Sequence, residues 1–92
     1  MNRPYDLLPG WDLVRQGMED LARGVESQPA LLVSIGATRL RSAGLNVPRG
    51  IPDADHKLFL HLVRQSGDDA HSQYNALLGR LVSFERALEC AS

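Results

Sequence analysis

The sequence predicts an all-α protein, a compact four-helix bundle whose third and fourth helices form an antiparallel hairpin. Three observations predict it. Ala70, Tyr74, Leu77, Leu81, Phe84 and Leu88 follow one another at spacings of 4, 3, 4, 3 and 4, a heptad stripe held for nearly three heptads. Trp11, Val14, Met18, Leu21 and Val25 repeat that pattern at spacings of 3, 4, 3 and 4. Finally, 92 residues with 43% hydrophobic and 23% charged side chains suit one globular domain over 1–92 and are too apolar for a disordered chain.

Residues 1–9 read as an irregular arm, with Pro4 and Pro9 around Tyr5, Leu7 and Leu8. The first helix is expected from Pro9 or Gly10 to about Glu26. Proline suits a first turn, and Asp12 suits the positive end of the helix dipole. Leu13 lies off the apolar seam. Gly17 and Gly24, seven apart, lie on its flank. They mark either a close helix approach or glycines tolerated in a helix held by tertiary packing, since each costs about 1 kcal/mol against alanine.

Ser27-Gln28-Pro29 is a break, and Pro29 opens a second helix that runs to Ala43, with Gly44 as its closing residue. Leu31, Leu32, Val33, Ile35, Gly36, Ala37, Leu40 and Ala43 cover most of its circumference. A helix apolar nearly all round belongs at the centre of a bundle or in a dimer interface. Leu45 to Pro52 is a loop by composition, and Val47 and Ile51, each before a proline, should be extended.

The third helix is expected from about Asp53 to Gln65, with Leu58, Phe59, Leu62 and Val63 as its core stripe. Ser66-Gly67 ends it, and Asp68 or Asp69 caps the fourth helix, which carries the long heptad stripe to about Cys90. So short a connection makes the two helices a hairpin. Asp53-Ala54-Asp55-His56 and Asp68-Asp69-Ala70-His71 look alike, but acid residues at helix starts are explained by the dipole.

The net charge of −1 gives no global attraction for nucleic acid or an anionic membrane. Nine of the ten basic residues are arginine, which fits a GC-rich genome. One cysteine, Cys90, excludes an internal disulfide and fits a reducing compartment. Met1 to Asp6 has no apolar core for a signal peptide, and no apolar run approaches the ~18–20 residues of a membrane span. The expectation is a bacterial-type cytoplasmic protein without a membrane segment or a cofactor.

No set of reactive residues converges by spacing. His56 and His61 are five apart, off a shared helix face, and His71 has only Asp68 and Asp69 nearby, so no metal site is expected. Arg64 and His71 fall in Arg-Gln-Ser-Gly-Asp-Asp-Ala-His. That spacing resembles the loose arginine–histidine motif of HEPN-type helical ribonucleases. The resemblance implies an arginine that polarises the scissile phosphate and a histidine that transfers protons, and makes a HEPN-like helical ribonuclease or toxin–antitoxin component an alternative function. Residues 27–52 carry Arg39, Arg41 and Arg49 and no carboxylate, which makes a weak nucleic-acid-binding accessory protein a further alternative.

Glu85 falls inside the apolar arc of its helix, among Leu78, Leu81 and Leu88, and Arg39 falls comparably beside Leu32 and Ile35. A carboxylate there needs a cation, so Glu85 is expected to pair with Arg39, Arg41, Arg64 or a neighbouring subunit's arginine. Leu13 and Leu60 lie off their seams, and Leu78 and Val82 extend the apolar arc of the fourth helix to one side. Together they suggest more apolar surface than one small bundle hides. The expected function is a non-enzymatic protein–protein interaction or accessory module, homodimeric through the surface of the second helix and Leu13, Leu60, Leu78 and Val82.

Overall fold

Glycines in left-handed conformations set several helix ends in this chain. The computed structural model describes residues 7–91. Its helices are α1 (Trp11–Ala22), α2 (Gln28–Ile35), α3 (Ala37–Ser42), α4 (Ala54–Ser66) and α5 (Ala70–Ala91), and a 3-10 turn, Gly67–Asp69, joins the last two. No strand occurs among the described residues. The short dimension of the molecule is 18 Å, about two helix diameters, so the helices stack in roughly two layers. Pro4 and Tyr5 of the expected arm lie outside the described residues. Of the rest of that arm, Leu7 is exposed and Leu8 packs on the core.

α1 stops at Ala22, short of the expected Glu26. Gly24 adopts φ 73°, its N–H donates to the Leu21 carbonyl at 3.1 Å, and the Val25 N–H donates to the Asp20 carbonyl at 2.8 Å. This is a Schellman closure, which needs the left-handed residue that glycine supplies most cheaply. Val25 therefore leaves the seam and is 43% exposed. Gly17 has the other role open to it. A Cβ there would collide with the Pro29 carbonyl and the Val33 side chain, so α1 crosses α2 at closest approach over Gly17.

Ser27 caps α2 by accepting the Ala30 N–H at 3.1 Å, with Pro29 in the first turn. Ala30, Leu31, Leu32 and Val33 have no exposed surface. The all-round apolar pattern reflects a helix with α1, α4 and α5 against it. The expected continuous helix to Ala43 is broken at Gly36 (φ −94°, ψ 9°). There α5 presses on the chain: a Cβ on Gly36 would stand 2.6 Å from Glu85 Oε2 and 3.0 Å from a Leu81 methyl. The break depends on residues about 50 positions away, which local periodicity does not report.

Gly44 (φ 105°) closes α3, with its N–H on the Arg41 carbonyl at 3.0 Å and the Leu45 N–H on the Leu40 carbonyl at 3.1 Å. The following loop is tied down. Arg41 donates to the carbonyls of Val47 at 3.2 Å and Pro48 at 2.8 Å. The Ile51 N–H donates to Ser34 Oγ at 2.9 Å, and that hydroxyl donates to the Ala30 carbonyl at 2.8 Å.

α4 buries Ala54, Leu58 and Leu62. Val63, expected in that stripe, is 41% exposed; it lies more than a quarter-turn around the helix from Leu62. α5 turns Ala70, Leu81, Phe84 and Leu88 inward, with Tyr74 and Leu77 partly buried. The Phe84 ring stacks on Trp11 of α1 at 6.0 Å.

Candidate functional site

Among the described residues, charge enters the interior at two places. Asp20 sits on the inner side of α1 with Gly17 and Leu21 and is 5% exposed. Its carboxylate accepts from Ser27 Oγ at 2.5 Å, Arg23 Nη2 at 2.7 Å and Gln16 Nε2 at 3.0 Å. The Ser27 hydroxyl, then Arg23, hold this carboxyl below the usual range. Asp20 thus joins the end of α1 to the cap of α2. The sequence reading missed it, because an acid near Arg15, Gln16 and Arg23 looks solvated; the signal was its place one turn beyond Gly17, on the packed side.

The second place is Glu85, also 5% exposed. Arg39 Nη1 stands 3.2 Å from Glu85 Oε1, while Arg39 Nε and Nη2 form a fork on Glu89 at 2.7 and 2.9 Å. Arg39 therefore ties α3 to two successive turns of α5. Burial raises the Glu85 carboxyl against the lowering effect of Arg39. Glu89 is lowered by its hydrogen bond to Arg39. Arg41 and Arg64 do not reach Glu85: Arg41 is spent on the loop, and Arg64 is exposed on α4.

The signs of these shifts oppose one another. Between the ordinary 4.5 and the raised value of Glu85, the native state binds more protons than the unfolded chain, so its contribution falls as pH rises. Asp20 and Glu89 are lowered, so their contributions stand above the ordinary 3.8 and 4.5 and are lost as pH falls below them. Urea unfolding from about pH 8 to about pH 5 should show the wild type gaining on Glu85→Gln as acid is added. Arg39→Met should destabilise the protein near neutrality, by less than the loss of a partner from a fully buried pair, because Arg39 is 45% exposed. A wild-type minus Glu85→Gln difference that does not vary with pH would contradict the account.

The third feature is a groove of about 380 Å³ between α4 and α5, lined by Asp55, His56, Phe59, His71, Tyr74 and Asn75. Two histidines 15 positions apart share it, a pairing that only the meeting of α4 and α5 creates. Phe59 meets His71 and Tyr74 edge to face. Among the described residues no group of three or more His, Cys, Asp or Glu side chains could hold a metal ion.

Arg64 and His71 are both exposed, and no hydrogen bond joins them; His71 lies against Phe59 instead. Arg39 is turned to α5, Arg41 to the loop carbonyls, and Arg49 is exposed. Leu13 and Leu78 are half-buried on the core, Val82 is half-buried, and Leu60 is 38% exposed. Cys90 is exposed. No helix among the described residues is long and apolar enough to cross a membrane. The chain matches no family model, no curated protein and no solved structure.

Proposed function

We propose that this chain is a small non-enzymatic helical interaction or accessory module that self-associates as a homodimer in a bacterial cytoplasm. This reading takes α2 and α3 as one helix bent at Gly36, and α4 and α5 as an antiparallel hairpin, in a four-helix bundle. One observation carries it. α4 is apolar on two sides: Leu58 and Leu62 are sealed in the core, while Leu60 and Val63, one turn apart, are 38% and 41% exposed. Adjacent apolar side chains on the outside of a helix are costly in water unless a partner covers them. The proposed interface is centred on Leu60 and Val63; Leu13, Leu78 and Val82, also expected there, are half-buried.

Sedimentation or light scattering at micromolar concentration is the test. The expected mass is two chains. Leu60→Asp with Val63→Asp should reduce it to one chain without loss of helicity, since neither side chain is part of the buried core. A wild-type mass of one chain overturns the homodimer.

A further inference from the structure

Phe59 stands at an aromatic corner. The His71 ring lies 6.4 Å from it at 80° between planes, and the Tyr74 ring lies 5.8 Å from it at 87°. Phe59 and Tyr74 are half-buried and His71 is exposed. The faces of such rings attract cations. Asp55, in the same lining, is exposed and forms no ion pair with a described residue, and Asn75 adds an amide oxygen.

Among the described residues no lysine or arginine lines the groove. Asp53 lies two residues before Asp55, and Asp68 and Asp69 lie just before His71; all three are exposed and without a cation among the described residues. The one lysine of the sequence, Lys57, is turned to Glu26 at 3.6 Å. Asp55 is the one of these four carboxylates in the lining, and it lowers the local potential for an incoming cation.

We propose that this groove binds the guanidinium of an arginine side chain presented by a partner protein. A guanidinium is flat, so it stacks on Phe59 or Tyr74 while its N–H edge donates to Asp55 and Asn75. A compact ammonium cannot use face and edge in that way. The groove is open to solvent, which suits a side chain arriving from another surface. The proposal rests on the reading of the chain as an interaction module and names the chemistry of its partner.

The test is a nuclear magnetic resonance titration of the full chain with N-acetyl-arginine amide and with its neutral isostere, N-acetyl-citrulline amide. The arginine amide should shift the ring signals of Phe59, His71 and Tyr74 saturably, and the citrulline amide should bind about tenfold more weakly or worse. Asp55→Asn, an exposed change that spares the fold, should weaken arginine binding about three- to tenfold. Phe59→Leu should weaken it comparably, with circular dichroism confirming that helicity is kept. Equal binding of the neutral isostere, an unaltered Asp55→Asn titration, or no saturable shift at these rings overturns the proposal. Sedimentation of the same samples separates the two readings. A dimer indifferent to arginine amide removes the groove assignment alone, and a monomer that binds it removes self-association alone.

Discussion

Gly17→Ala should lower folding stability by about 3 kcal/mol, measured by urea unfolding followed by circular dichroism. In an exposed helix the same change would stabilise by about 1 kcal/mol. The sign reverses because the added methyl would meet the Pro29 carbonyl and Val33, where backbone cannot step aside as a flexible side-chain end can. Two further glycines act as controls. Gly24→Ala meets nothing within 4 Å but must hold φ 73°, so it should cost about 1–2 kcal/mol. Gly79→Ala, inside α5 with open space around it, should stabilise by roughly 0.5–1 kcal/mol. A Gly17→Ala protein as stable as the wild type would mean that α1 and α2 do not meet as described.

The same glycines show how far the sequence could be read. Heptad spacing is a property of one helix and its buried side, so the seam of α5 and the central place of α2 are legible residue by residue. Gly17 and Gly24 occupy equivalent places on the wheel. Only the hydrogen bonds of Val25 and the nearness of Pro29 assign one to the end of a helix and the other to a crossing. The break at Gly36 is hidden for the same reason, because Gly36 lies against Leu81 and Glu85 of α5. Glu85 announces its need for a cation by sitting between Leu81 and Leu88, and Arg39 stands 3.2 Å from it. The groove gives no such warning. His56 and His71 belong to separate helices, and Phe59 looks from its spacing like a core residue.

Phe84→Ala should cost about 3–5 kcal/mol, a large share of the roughly 5–15 kcal/mol that holds a domain of this kind together. Phe84 has no exposed surface and is the largest of the fully buried side chains. It is also the place where α5 receives the start of α1: Trp11 stacks on it at 6.0 Å, and a Cβ on Gly10 would stand 3.5 Å from the Phe84 Cβ. Losing the ring leaves a cavity that Leu81 and Leu88, already buried, cannot fill without moving. Trp11 reports the event directly. Its emission should shift to the red in Phe84→Ala before global unfolding, as water reaches the indole. Phe84→Leu, which keeps part of the volume, should recover about half of the loss. Unchanged emission would show that the stack does not anchor the start of α1.

The crossing over Gly17 has a consequence in time as well as in energy. α1 and α2 share the broadest contact in the molecule, yet residues 23–27 alone separate them. Closing so short a loop costs little entropy, so this pair can assemble before distant parts of the chain meet. The far end of α5, which must come back past Gly36 and Trp11, docks later. In stopped-flow experiments the methyl at Gly17 should therefore slow refolding, and the loss of Phe84 should chiefly hasten unfolding.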